Sequence, residues 1–220
     1  MVNILLEGYG IHAPWLRREL KRYLCGTMRA TVIPFSFRDS RIRNAEDWDR
    51  SFGEEGNIRK GILMGFSAYG IPEENVTFVD YFRDTTESAL EKVGGADILY
   101  FTGGLPDKMT ERLAEFDLTD TLRRHRGVVM GYSAGALIQF DEYHLSPDHD
   151  YPQFGYYRGL GYLSGFGLEV HYKATEVQNA SIRRVIAERA RPVYATHLMQ
   201  GALVAEDGIP RPIGKVTLFG

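Results

Sequence analysis

The stretch Gly127-Val-Val-Met-Gly-Tyr-Ser-Ala-Gly-Ala136 decides how this chain is read. An apolar run ends in a sharp turn and passes at once into small residues that open a helix. Within it, Gly131-Tyr-Ser-Ala-Gly135 matches G-x-S-x-G, a pattern that sets a serine on a strained strand-to-helix turn with its hydroxyl exposed. The N–H that follows, that of Ala134, faces the place where an oxyanion would develop, and the helix dipole adds to its stabilisation. The competing reading is a glycine-rich turn with the serine as a helix cap. The strand before Ser133 and the small residues Ala134, Gly135 and Ala136 after it favour a nucleophile.

Working outward, compact apolar runs recur at Val2–Leu6, Ala30–Phe35, Asn75–Tyr81 and Ala96–Thr102. Together with Gly127–Tyr132 they read as strands buried on both faces. Segments of helical spacing lie among them, at Pro14–Leu24, Pro106–Arg124 and Ala174–Arg191. The alternation predicts an α/β fold, a three-layer sandwich with a mostly parallel central sheet. In such sheets the site lies beyond the carboxyl ends of the strands. Thr102-Gly-Gly-Leu-Pro-Asp107 ends one strand there, and Gly103 and Gly104 offer N–H groups to an oxyanion beside Ser133. The Tyr-, His-, Asp-, Pro- and Gly-rich segment 141–167 reads as a flap. From Pro192 onward the pattern predicts two or three antiparallel strands, with a turn at Glu206-Asp-Gly208. With no repeat, low-complexity tract or linker, residues 1–220 are expected to form one domain.

At 220 residues the chain can bury a sizeable core. It is 44% hydrophobic and 25% charged with a net charge of −3, which excludes the broad basic surface of a nucleic-acid binder. No apolar run approaches the roughly 18 residues of a membrane span, and no signal peptide is visible. A single cysteine, Cys25, excludes an internal disulfide and fits a reducing compartment, so a cytoplasmic protein is expected.

The order of motifs carries a resemblance. Thr102-Gly-Gly104, Gly131–Ala136, Arg158-Gly-Leu-Gly-Tyr162 and Leu168-Glu-Val-His-Tyr172 together resemble the peptidase E and cyanophycinase family of serine peptidases, over residues 95–205. The resemblance implies a flavodoxin-like fold akin to class I glutamine amidotransferases, with serine replacing their cysteine. It implies hydrolysis beside aspartate, the substrate being an aspartyl dipeptide or another small peptide or isopeptide; no cofactor is expected, and the scattered His and Asp of the flap read as solvated side chains and not as a metal site. Ser133 matches the family nucleophile and His171 its histidine, while Gly103, Gly104 and Ala134 fall where the oxyanion N–H groups are supplied. Chemistry agrees on the base, because neutral imidazole is the side chain suited to take a serine proton near neutral pH. His197, at the end of an apolar run, is the rival. His12 and His125 read as solvated, and His144 and His149 belong to the flap.

The third catalytic group is open at this stage. The family tends to carry a glutamate just before the last apolar strand, where this chain has Met199 and Gln200. Another family acid falls about where Asp148 stands, fifteen residues after Ser133, and Asp148 is taken as the acid. Asp150 and Glu169 are alternatives, and Gln200 could orient the ring as an amide. An aspartyl substrate needs a cation for its carboxylate. Arg158, Lys173, Arg183 and Arg184 are the candidates near His171 in sequence. Two other readings stand beside this one: an esterase-like hydrolase using His197, and a catalytically weak binding protein on the same fold. A homodimer is left open at this stage.

Overall fold

Five strands run parallel through the centre of the molecule, in a computed structural model that describes residues 1–220. They are β1 (Val2–Leu6), β2 (Ala30–Ile33), β3 (Val76–Phe78), β4 (Ile98–Phe101) and β5 (Val128–Tyr132), each within a run predicted from the sequence. Consecutive residues on these strands, such as Ile4 and Leu5, Leu99 and Tyr100, or Val129 and Met130, are almost fully buried. Successive side chains of a strand point to opposite faces, so both faces of the sheet are covered, as a layered α/β fold requires. Each large apolar side chain buried in this way contributes roughly 1.5–3 kcal/mol.

The helices are α1 (Pro14–Leu20), α2 (Ala45–Phe52), α3 (Asn57–Ser67), α4 (Thr86–Gly94), α5 (Pro106–Glu115), α6 (Thr119–Arg124), α7 (Ala134–Leu137) and α8 (Glu176–Arg189). The segment Pro106–Arg124, predicted as one helix, is two. Asp117 adopts φ +52° between them, and a left-handed residue ends the α-helical path. Proline opens both α1 and α5, where its missing N–H costs nothing.

The C-terminal region closes one side of the sheet. β9 (Val193–Glu206) and β10 (Ile209–Phe219) form the predicted antiparallel hairpin, turning at Asp207 and Gly208, both at positive φ. The second half of β9 pairs with β1. Its first half pairs with β8 (Gly167–Tyr172), giving the order β10-β9-β1-β5-β4-β2-β3 with β8 alongside β9.

Segment 141–167 is a hairpin of β6 (Glu142–Leu145) and β7 (Gly155–Arg158) followed by a return into the core. Tyr143 stacks on Tyr157, and Leu160, Leu163 and Phe166 are buried. Only the connection 146–154 between the strands remains as a loop, and it is pinned. Asp150 pairs with Arg38, and the Tyr151 hydroxyl donates to Asp107. No helix is long and apolar enough to cross a membrane.

Candidate active site

Ser133 sits between the carboxyl end of β5 and the start of α7 with φ +53° and ψ −115°. That is a strained conformation for a residue with a Cβ, held by its surroundings. The flanking glycine is required by contact: a Cβ on Gly135 would lie 2.2 Å from the carbonyl oxygen of Phe101. The turn is therefore pressed against the end of β4, where the Gly103–Gly104 loop begins.

His171 reaches this serine. Its Nε2 lies 2.8 Å from Ser133 Oγ. The histidine occupies an irregularity in β8: the register with β9 shifts between Glu169 and Tyr172, and His171 has φ +53°. The bulge turns the His171 N–H out of the ladder and toward a carboxylate.

That carboxylate belongs to Glu7. Its Oε2 is 2.7 Å from His171 Nδ1, and both of its oxygens accept the His171 backbone N–H at 3.0 Å. The Thr196 hydroxyl donates to Oε1. Glu7 is 3% exposed, so a buried carboxylate grips its histidine by ring and backbone together. With Glu7 accepting from Nδ1–H, the ring presents an unprotonated Nε2 to Ser133, the tautomer a general base needs.

The origin of Glu7 is topological. β1 and β5 are parallel neighbours with Leu6 opposite Tyr132, so the next residues of the two strands, Glu7 and Ser133, emerge side by side. The Ser133 N–H donates to the Leu6 carbonyl at 2.9 Å.

Asp148, expected as the acid, does something else. Its Oδ1 accepts from the N–H groups of Asp150 and Tyr151 and shapes the hairpin turn; it makes no bond to His171. Asp150 is engaged by Arg38, which holds its carboxyl below the usual range. Glu169 bonds to His144 and Ser146, and Gln200 is exposed on β9. His197 bonds to the Thr217 hydroxyl at 3.0 Å and packs edge-on against Tyr172, with no path to Ser133. Burial and nearby Lys215 hold its ring below the ordinary histidine range. His12 and His125, expected to be solvated, are partly buried.

The expected cations also sort apart. Arg158 is exposed on β7 and lines a separate groove with Arg123. Arg183 pairs with Glu176 on the exposed side of α8, and Arg184 pairs with Glu188. Lys173 does line the cleft that contains His171, and its ammonium makes no ion pair.

Two arginines absent from the sequence-based expectations stand on the other side. Arg38 and Arg41, after β2, line a pocket of about 170 Å³ with Ser36, Gly103, Gly104 and Tyr132. Arg112 holds this loop: its buried guanidinium donates to the carbonyls of Phe35 and Phe37 and to Asp39. The N–H groups of Gly103 and Gly104 donate to no backbone carbonyl, and Gly104 has φ +145°, a conformation for glycine alone. Burial pushes the Tyr132 phenol up to about 12, so it stays neutral beside this loop.

A wound α/β sheet with a serine, a histidine and a buried carboxylate converging at the strand ends has the form of a hydrolase. The family model for peptidase family S51 matches residues 63–208, well over half of the sequence, and the chain belongs to that family of peptidases. The matched segment contains Ser133 and His171 and begins well after Glu7. Among solved structures, the chain is similar to a candidate peptidase E protein from Listeria monocytogenes EGD-e. They are 16% identical, with a TM-score of 0.61 over 99% of this chain and 97% of the other. It is also similar to a peptidase from an acI-B1 Actinobacterium, at 15% identity and a TM-score of 0.64, covering 99% and 93%. At such identities the likeness is one of fold. No curated protein sequence matches the chain.

Proposed function

We propose that this chain is a serine peptidase that works through an acyl-enzyme on Ser133 and cleaves short peptides after an acidic residue of aspartyl type. The observation that carries the reading is the continuous chain of contacts from Glu7 to His171 Nδ1 and from His171 Nε2 to Ser133 Oγ. Ser133 Oγ attacks the scissile carbonyl as its proton passes to His171 Nε2. The oxyanion is received by the N–H of Ala134 and by the Gly103–Gly104 loop. On collapse, His171 gives its proton to the departing amine. Water then repeats the sequence on the ester and releases the acid. Glu7 orients the ring and stabilises the imidazolium.

Arg41 supports the acidic preference, since it lines the pocket beside the oxyanion glycines and makes no ion pair. Arg38 there is already matched by Asp150. Lys173 is suited to the terminal carboxylate of a leaving amino acid, which favours dipeptides. A cytoplasmic setting agrees with the one free cysteine, Cys25.

The test is labelling with a fluorophosphonate probe, followed by hydrolysis of Asp-Leu, β-Asp-Leu and Leu-Leu. Labelling is expected in the wild type and in Asp148→Asn, and is expected to vanish in Ser133→Ala and His171→Ala. Persistence of labelling in Ser133→Ala would remove the nucleophile from this reading. Equal cleavage of Leu-Leu and Asp-Leu would remove the acidic preference.

A further inference from the structure

The glycine loop that faces Ser133 is held by a second serine, one that the reaction does not use. Ser36 follows β2 and is fully buried. Its Oγ lies 2.6 Å from the carbonyl oxygen of Gly103 and 2.9 Å from Thr102 Oγ1, which is also buried. A carbonyl only accepts, so the single hydroxyl proton of Ser36 goes to Gly103. The Thr102 hydroxyl is then the donor to Ser36 Oγ. Two hydroxyls thus form a directed relay that ends on one peptide oxygen. The Ser36 backbone grips the same loop further on, its carbonyl accepting the Leu105 N–H at 2.7 Å.

The bond to Gly103 fixes more than an oxygen. In a trans peptide the C=O and the N–H point in opposite directions. The oxygen of Gly103 and the N–H of Gly104 belong to one such unit. The strand that carries this loop, β4, lies between β2 and β5. A carbonyl held on the β2 side by Ser36 therefore sends the Gly104 N–H toward the β5 side, where Ser133 stands. The approach there is close, since a Cβ on Gly103 would lie 3.2 Å from Ser133 Cβ. The peptide also needs such a hold. It lies between two glycines, and with no Cβ on either side it can turn over at little steric cost. Turned over, it would aim an oxygen lone pair at the place where the oxyanion forms. Ser36 is itself firmly placed, because Arg112 donates to the carbonyls of Phe35 and Phe37 on either side of it.

We infer that Ser36, oriented by Thr102, is a positioning residue that keeps the Gly103–Gly104 peptide turned to receive the oxyanion. The inference rests on the acyl-enzyme reading given above. Ser36 acts through that one peptide plane and takes no part in proton transfer.

The test is the rate of labelling by a fluorophosphonate, whose phosphonyl oxygen occupies the oxyanion position, so no peptide substrate is needed. Ser36→Ala is expected to slow labelling at saturating probe by about 10- to 100-fold, approaching the loss of an oxyanion donor outright. The half-saturating probe concentration should not change. Thr102→Val, which keeps the volume, should slow labelling several-fold, and Thr102→Ser should restore it. A merely structural role would lower Tm and leave the saturated rate alone. Crystal structures of the wild type and Ser36→Ala read the plane directly: the Gly103 oxygen is expected on Ser36 in the first, and turned or split between two orientations in the second. A folded Ser36→Ala labelled at the wild-type rate overturns the inference and leaves the nucleophile standing. So does a slowed variant whose 103–104 peptide has not moved. If Ser36→Ala does not fold, Thr102→Val decides in its place, and an unchanged rate there overturns the inference. A wild type inert to the probe overturns the acyl-enzyme reading and this inference together.

Discussion

The pocket beside the glycine loop and the cleft beside His171 come from different parts of the chain and differ in charge, with two arginines in one and Glu169, Asp148 and Lys173 together in the other. One is made by the loops after β2 and β4, where Arg38 and Arg41 stand over Gly103 and Gly104. The other is made by the hairpin 142–158, β8 and the start of α8, and has Glu169 at its back. The tip of the hairpin belongs to both: Ser146 and Asp148 line the second wall, while Asp150 crosses to Arg38 on the first. The contrast teaches that charge of one sign is concentrated beside the glycine loop, whereas the cleft beside His171 offers both signs. The reacting groups between the walls are held differently again, by strand ends and buried hydrogen bonds.

The sharpest way to break this comparison is at the centre. Glu7→Gln is expected to lower kcat by on the order of 10²–10⁴-fold, since an amide can hold the ring in the wrong tautomer and cannot balance imidazolium. The same change at Asp148 should leave kcat within a few-fold. Steady-state kinetics of the two variants on one substrate decides which acid serves His171.

Next comes the cationic wall. Arg41→Met should cost about 10- to 100-fold in kcat/KM for an acidic acyl residue and little for a neutral one, because a carboxylate would lose its charged partner. A loss of equal size on both substrates would mean that Arg41 shapes the loop instead of reading charge.

A smaller effect is expected one layer further out. Thr196→Val removes the hydroxyl that donates to Glu7 while keeping the volume. A hydrogen bond to a charged group is worth about 1.5–3 kcal/mol, so kcat should fall about tenfold and Thr196→Ser should recover it. A fall in Tm with kcat unchanged would assign Thr196 to packing alone.

The smallest effect concerns the tip that joins the walls. Arg38 holds the Asp150 carboxyl below its usual range, so the pair stabilises the folded tip above pH 4 or so, the ordinary aspartate value. That contribution is lost as pH falls through the depressed value in the folded state. The pair is partly solvated, which limits it to under about 1 kcal/mol. Hydrogen exchange at residues 148–151 should rise below that pH relative to the core, and Asp150→Asn should remove the pH dependence.

How much of this could be read in advance differs from residue to residue. Ser133 was legible because its signal is local: a strand, a turn and small residues adjacent in sequence. The five central strands were legible for the same reason, each being a run buried on both faces. Glu7 was not, although it directly follows the first of those runs. Its part depends on β1 lying beside β5, and strand order is a long-range fact. Asking which acids end each predicted strand would have raised it, whereas a search confined to residues after the nucleophile could not. Arg38 and Arg41 escaped for a similar reason, sitting about 130 residues before His171 in sequence. Arg158 and Arg183 show the converse, since nearness along the chain put them on other surfaces.

By itself, then, the sequence determined the α/β alternation, the strained turn at Ser133, the glycine loop beside it and a histidine of the right kind at position 171. These are properties of short windows, where backbone sterics and hydrophobic period leave few alternatives. The tertiary structure decided which carboxylate holds the histidine and which cations face the site. Those follow from strand order, register and one bulge in β8. Charges act through space, and only the folded chain sets the distances between them.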